Sequence, residues 1–347
     1  MTYFDAAAAT PLLPEVKEAM IQHMDLWGNN NSKHEAGHAA QKVINQSLKT
    51  IADILKVSAD QLAVTYSGTN ANRRILHEVT KKFGTENIWC SHVEHSSLLD
   101  EVPESQRFDP ESFSGLPKDP KFIALMRANS ETGSLYELEK LRTKYPDAFI
   151  HADMAQVIGK DVDLHLEHVD SATFVPQKFY GPKHIGLLYL KNPEHFSSIS
   201  KDSHTKNAFL IAGMAKAFAL LDEKQPKKLK TWTDQIERFI SENIPDFKIH
   251  QQNKPRVPGI INVAFNRLRG SELMTLLSEE ESICISTGSA CTSDIMTPTH
   301  VIQYLEPDAT WQYPIRISLH QFLSDDDISH FCEVLAHYVA ELRARNF

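Results

Sequence analysis

Three residues of this chain have surroundings that suit covalent or electrostatic chemistry: Asp153, Lys178 and Cys291. Asp153 stands in His151-Ala152-Asp153-Met154-Ala155-Gln156, at the end of an apolar run that reads as a strand. In open α/β sheets, ligands bind at the loops that follow the strands. A carboxylate buried there needs a cationic partner, and a pyridinium nitrogen kept protonated by it would serve. The plainer role for such an aspartate is a helix cap. Twenty-two residues after Asp153 begins Val175-Pro176-Gln177-Lys178-Phe179-Tyr180-Gly181-Pro182-Lys183. A lysine among aromatics and turn formers suits Schiff-base chemistry when desolvation or a nearby charge frees its amine. Otherwise it is a surface lysine beside a Gly-Pro turn. Cys291 lies in Ser286-Thr287-Gly288-Ser289-Ala290-Cys291-Thr292-Ser293-Asp294. Small and hydroxyl neighbours place it on an accessible loop where a thiolate can attack, although a loop cysteine taken bare is incidental.

The elements that must position these groups alternate along the chain. Leu62–Thr65, Ile88–Cys90, Phe122–Met126, Ala148–His151 and Ile185–Leu190 read as short apolar strands. Between them lie helical stretches such as His38–Leu55, where Val43, Leu48, Ile51 and Leu55 share one face. Buried strands alternating with helices predict an α/β fold with a mostly parallel central sheet. A helical run over Asn207–Leu221 is followed by a charged break, Glu223–Lys230, containing Pro226, and then by a helix from about Leu229 to Asn243. A strand at Gly259–Phe265 and a terminal helix at Asp325–Arg345 complete a smaller α+β C-terminal domain. The expected division is a large domain over 12–235 and a small one from 1–11 plus 236–347, the latter carrying the Cys291 loop.

The chain has 347 residues, 41% hydrophobic and 23% charged, with a formal net charge of −9. That balance fits a globular protein and opposes general binding to nucleic acid or anionic membranes, which need positive fields. The cluster Lys224, Lys227, Lys228 and Lys230 reads as a solvated helix face. Four cysteines without a CxxC pair predict no disulfide scaffold and a cytoplasmic, reducing setting. Cys90 and His92 with His95 lack a fourth ligand at zinc spacing, so no metal site is read, and Cys90, Cys284 and Cys332 are expected to be packed.

Taken together, His-Ala-Asp-Met-Ala-Gln and Gln-Lys-Phe-Tyr-Gly-Pro-Lys resemble the pyridoxal-phosphate core of the fold-type I, class V aminotransferase group. Within it the chain is most similar to the NifS/IscS-like cysteine desulfurases, which feed sulfur to iron–sulfur clusters and thiolated tRNA. The resemblance runs from Tyr3-Phe4-Asp5-Ala6-Ala7-Ala8-Ala9-Thr10-Pro11 through Gly28–His34, Thr65–Asn72 and Val93-Glu94-His95 to Pro314–Leu319. It implies pyridoxal 5'-phosphate bound covalently to Lys178, with Asp153 at the ring nitrogen, Gln156 at the ring hydroxyl and His95 stacked on the ring and assisting proton transfer. Thr69 would bind the phosphate at a helix start, and Thr205 would reach the phosphate of a neighbouring subunit, implying a homodimer. Arg316 would clamp the carboxylate of L-cysteine, with Asn129 also at the substrate. Cys291 would take the sulfur as a persulfide for a sulfur-acceptor protein.

The match departs near the cofactor. Val175 stands where the family has a serine that bonds the phosphate, and Gln177 replaces a histidine. Ser130 stands for an asparagine near the ring hydroxyl or substrate, and Asp202 occupies the place of an arginine. A hydrogen bond to a charged group is worth about 1.5–3 kcal/mol, so the resemblance implies weaker cofactor retention, partly offset by Gln177 and the covalent lysine. The open alternatives are another pyridoxal-phosphate lyase, such as a selenocysteine lyase, and a non-catalytic paralogue that binds a partner.

Overall fold

The computed structural model describes residues 1–160, 162–200, 204–222, 224–288 and 297–345. The chain begins with a short strand, β1 (Thr2–Tyr3), and a short helix, α1 (Pro14–Ile21), before the amphipathic α2 (Glu35–Leu55). Then come β2 (Leu62–Thr65), α3 (Gly68–Phe83), β3 (Ile88–Ser91), α4 (Ser96–Leu99), β4 (Arg107–Phe108) and β5 (Phe122–Ala124). They are followed by α5 (Leu138–Lys144), β6 (Phe149–Asp153), β7 (Ser171–Phe174), β8 (Gly186–Leu190), α6 (Ser197–Ser200) and α7 (Ala208–Ala219). The last stretch holds α8 (Lys224–Asn243), β9 (Phe247–Ile249), β10 (Ile260–Phe265), α9 (Gly270–Glu281), β11 (Ile283–Cys284), α10 (His300–Leu305), β12 (Ile315–Ser318) and α11 (Asp325–Arg345).

Seven strands form the main sheet in the order β2-β8-β7-β6-β5-β3-β4. Its pairs are parallel except those of β8, which runs antiparallel to both β2 and β7. Strands β5, β7 and β8 are buried at every position, because helices cover both faces; this is why they read as unbroken apolar runs. Helix α2 explains its own 21-residue length by its pattern, with Ile44, Ile51 and Leu55 on the buried face and the His34 ring accepting from the Gly37 N–H as its cap.

A second core surrounds the antiparallel strands β12-β10-β9 and includes Phe4, Trp232, Ile261, Ile317 and Phe331. The expected charged break before Leu229 does not exist. Helix α8 begins at Lys224, and Pro226 sits in its first turn, where a missing N–H leaves no intrahelical bond unmade. The lysines around it lie on exposed positions; Lys228 Nζ sits 4.2 Å over the Trp232 ring and Lys230 pairs with Asp234 at 2.7 Å. Among the described residues, no helix is long and apolar enough to cross a membrane.

Candidate active site

The carboxyl ends of β6 and β7 open onto a cavity of about 270 Å³. Its wall gathers Lys178, Asp153, Gln156, His95, Thr69, Gln177, Ser130 and Arg316, eight residues drawn from six separate stretches of chain. Lys178 sits on the 3-10 turn Pro176–Lys178 just after β7, a position the proline starts and the sheet end fixes. Its Nζ donates to the carbonyls of Ala7 and Ala8, each at 2.7 Å. Gln156 donates from Nε2 to the same Ala7 carbonyl at 2.9 Å.

Asp153 ends β6 with one hydrogen bond to each carboxylate oxygen: Oδ1 accepts the Ala155 N–H at 2.9 Å, and Oδ2 accepts Asn72 Nδ2 at 2.9 Å. Asn72 also donates to Ser97 Oγ at 3.0 Å, and its carbonyl oxygen lies 3.2 Å from His151 Nε2. Burial pushes the His151 imidazole down to about 4, so it is neutral here. Nearby, His95 Nδ1 accepts the Ser97 N–H at 3.1 Å, which places the proton of the neutral ring on Nε2. Asn72 thus ties the carboxylate to the loop that holds His95. It escaped the sequence reading as a functional residue, although a polar residue among Ala71, Ile75, Leu76 and Val79 on the buried face of α3 was the available signal.

The opposite end of the cavity is built by the start of α3. Ser67 caps that helix by accepting the Asn70 N–H at 3.0 Å, and Ser67, Gly68 and Thr69 all border the space. A 16-residue helix pointing its first turn into a cavity is suited to an anion. Val175 closes this end from the other side; a Cβ on Gly68 would come within 2.5 Å of Val175 Cγ2. Only glycine fits there.

Arg316 lies on β12, almost wholly buried. Its Nη2 pairs with Asp5 Oδ1 at 2.6 Å and its Nη1 donates to the Ser130 carbonyl at 3.1 Å. Its Nε is buried without a partner among the described residues. Asp5 is a second residue whose role the sequence reading did not assign. Glu131, next to Ser130, is buried; desolvation raises its carboxyl group, while a hydrogen bond from Thr299 Oγ1 (2.5 Å) and the Arg316 charge act the other way.

Two assigned residues are not on the wall. Asn129 was expected at the substrate, but its Oδ1 accepts from the amides of Glu131 and Thr132 and its Nδ2 donates to the Val93 carbonyl. Its Oδ1 shapes the 129–134 turn and its Nδ2 ties that turn to Val93, which positions Ser130 on the wall. Thr205 is exposed and accepts from Asn29 Nδ2 at 3.0 Å, away from this chain's own cavity. Cys291 and Asp202 lie outside the described residues. The other cysteines are free thiols; Cys90 and Cys332 are buried, and burial pushes Cys332 up to about 12 and Cys90 well up as well, as suits packing groups. Cys284 is half-buried in β11.

An amine, a buried carboxylate, an oriented imidazole, a helix start and a buried guanidinium around one space form a set able to bind an amino acid and an anionic aromatic cofactor together. Comparison with known proteins agrees. The family model for class-V aminotransferases matches residues 2–331. Cysteine desulfurase IscS of Dictyoglomus turgidum is 29% identical, over 98% of this chain and 95% of that protein. A cysteine desulfurase of Sinorhizobium fredii is 29% identical over 98% and 97% of the two chains. Among solved structures, a NifS-like protein superposes with a TM-score of 0.83 at 23% identity, covering 98% of this chain and 99% of that one. The NifS-like protein of Rickettsia africae gives 0.82 at 23% identity, with 98% and 99% covered. With its family model matched over nearly the whole length and the same fold in these structures, the chain belongs to the class-V aminotransferase family.

Proposed function

We propose that this protein is a cysteine desulfurase that uses pyridoxal 5'-phosphate to convert L-cysteine to L-alanine and collects the sulfur on Cys291. The observation that carries the proposal is the convergence of Lys178, Asp153, His95, Gln156, Thr69 and Arg316 on one cavity. Full-length likeness to proteins named cysteine desulfurase supports it. The residues present fit the cofactor. A primary amine lines the cavity for covalent attachment, a hydrogen-bonded carboxylate meets a pyridinium nitrogen, and the start of α3 with Thr69 and Gln177 receives a phosphate. Gln156 and Ser130 border the same space for the ring hydroxyl. When bound, pyridoxal phosphate supplies an electron sink that acidifies the Cα–H of an amino acid.

The chain's own groups then divide the work. Arg316, which borders the cavity, holds the substrate carboxylate. Lys178, once the incoming amino acid has taken its place, receives the Cα proton on Nζ and returns it within the product. His95, its neutral proton directed to Nε2, serves as a face for stacking and a second proton carrier. Cys291 attacks the substrate sulfur as thiolate: a sulfur–sulfur bond forms, the Cβ–sulfur bond breaks, and the electron pair left on the substrate is protonated to alanine. The balance is L-cysteine plus a thiol giving L-alanine plus a persulfide. That persulfide passes to a sulfur-acceptor protein in the cytoplasm.

The working unit in this reading is a homodimer. Exposed Leu12, Ile21, Met24 and Trp27 offer apolar surface, and Thr205 is exposed, as a residue that reaches a second copy's cavity must be. We assign the core around β10 and β12 to a small domain of residues 1–11 and 224–347, because the expected boundary at 235 would cut α8 and leave its Leu229 and Trp232 outside the core they pack in. The large domain runs from 12 to the start of α8.

The deciding experiment adds pyridoxal phosphate and then L-cysteine to the purified protein and follows its near-visible absorption alongside alanine and sulfide. A yellow band that cysteine perturbs and that Lys178→Ala lacks, with equal yields of alanine and transferable sulfur, is the expected result. Undiminished sulfide release by Cys291→Ser would overturn the role of Cys291, and no band at excess cofactor would overturn the enzyme reading.

A further inference from the structure

The connection between β6 and β7 carries His165, Glu167 and His168 on and beside a 3-10 turn, Leu166–His168. Nothing in the proposed chemistry uses them. His165 Nδ1 lies 3.3 Å from Glu167 Oε1, and His168 Nε2 lies 3.4 Å from the same oxygen. The three ligand atoms all fall within 4.8 Å of one another. For a zinc ion bound at 2.0–2.1 Å, the edge of a regular tetrahedron is about 3.3–3.4 Å. Both separations from Glu167 therefore match the spacing of neighbouring ligands round such an ion, and both are longer than a good N–H···O hydrogen bond of about 2.9 Å.

The turn holding the ligands is fastened on each side. The His165 N–H donates to Asp163 Oδ1 at 3.1 Å, Lys191 Nζ to the Glu167 carbonyl at 3.2 Å, and Arg142 Nε to the His168 carbonyl at 3.0 Å. Leu166 is buried beneath it. The two imidazoles are about three-quarters covered, at 26% and 24% exposure, whereas the carboxylate stays 64% exposed. The ligands are thus gathered by a backbone already in place, and the open side leaves room for water as a further ligand.

We propose that His165, Glu167 and His168 bind one late first-row divalent ion of the zinc type. Two imidazole nitrogens with one carboxylate suit zinc, cobalt, nickel or copper, and do not suit calcium or magnesium, which take oxygen ligands. The site lies outside the active cavity but on the connection between β6, which ends at Asp153, and β7, which precedes Lys178. The ion acts there as a clip on that segment. It takes no part in the reaction.

The test uses the full-length holoenzyme stripped of metal. Zinc is titrated calorimetrically, and cobalt by absorption, into wild type, His168→Ala, His165→Ala and Glu167→Gln. The expected result is one high-affinity equivalent per chain, weakened at least tenfold in either histidine variant and less in Glu167→Gln. The cobalt spectrum should be free of the intense thiolate charge-transfer band that binding at a cysteine would give. Desulfurase activity and the metal-free thermal midpoint should be unchanged in His168→Ala, while the zinc-induced rise of the midpoint disappears. Equal zinc affinity in wild type and both histidine variants, a thiolate band, or no binding by wild type would overturn the proposal. The affinity, spectral and thermal readouts that decide the proposal do not depend on whether the cavity performs desulfuration.

Discussion

The two ends of the active cavity are built to different standards. At the Asp153 end the polar groups are chained together: the carboxylate takes two hydrogen bonds, Asn72 passes the contact on to Ser97, and Ser97 orients His95. At the α3 end the wall is sparer. Val175 presents methyl groups toward Gly68, and the polar side chains bordering that end are Ser67, Thr69 and Gln177, of which Ser67 is already occupied as a helix cap. The difference teaches where anchoring free energy resides in the proposed enzyme. Attachment rests on the lysine and the ring-nitrogen carboxylate, and the anion is left mainly to backbone amides and the dipole of one helix.

The sharpest break of this contrast is Lys178→Ala. It should lower alanine formation by about 10²–10⁴-fold, the magnitude of a lost general base, and release cofactor on gel filtration. Asp153→Asn comes next, with a loss of about 10²–10³-fold in turnover, as for removal of a preorganised charge, and a shifted cofactor absorption band. If this variant retained full activity, the well-wired end would be structural only.

A pH measurement probes the same end. Glu94, beside His95, is buried with Oε1 accepting from Ser91 Oγ and the Met126 N–H, and with Oε2 unpartnered among the described residues. Burial pushes its carboxyl up to about 8. In the folded chain it keeps its proton between about 4.5 and 8, where the unfolded chain has lost it, so the folded state binds more protons there. Its contribution is therefore full below about 4.5 and is lost as pH rises toward 8, by an amount on the order of a few kcal/mol. Denaturant unfolding across this range should show wild type losing stability relative to Glu94→Gln as pH rises, because the amide cannot ionise.

The smallest effect is expected at the spare end. Val175→Ser restores a hydroxyl facing the helix start and should slow cofactor loss on dialysis by about tenfold, equivalent to about 1.5 kcal/mol for one hydrogen bond to a charged group. No change in retention would mean that the backbone of α3 already satisfies the anion.

Much of this was legible from residue types. The strand runs were readable because a sheet covered on both faces needs apolar side chains throughout, and β2, β6 and β8 fall within a residue or two of the runs named from sequence. Asp153 was readable because it follows such a run, and Lys178 because aromatics and turn formers flank it. Asn72 and Asp5 were not, since their importance comes from partners 81 and 311 residues away along the chain. The bonds of Asn129 were not legible either: the motif gave its neighbourhood, but only the fold reveals that its Oδ1 accepts from its own turn and its Nδ2 reaches Val93. Pro226 misled, because a proline in a helix's first turn has the same one-letter signature as a proline that breaks one.

The carbonyls of Ala7 and Ala8 that hold Lys178 belong to a segment stitched to the far end of the chain. Thr2 and Tyr3 pair with Ile283 and Cys284, the Ser318 N–H donates to the Phe4 carbonyl, and the Ala7 N–H donates to Ser318 Oγ. A ribosome makes the first ten residues at once but reaches Ser318 only after tens of seconds, at roughly 5–20 residues per second. Through that interval the segment lacks its contacts with Ile283, Cys284 and Ser318, and the wall behind Lys178 is among the last parts of the protein to be completed. A nascent chain can thus finish its main sheet well before it can hold a lysine ready for chemistry.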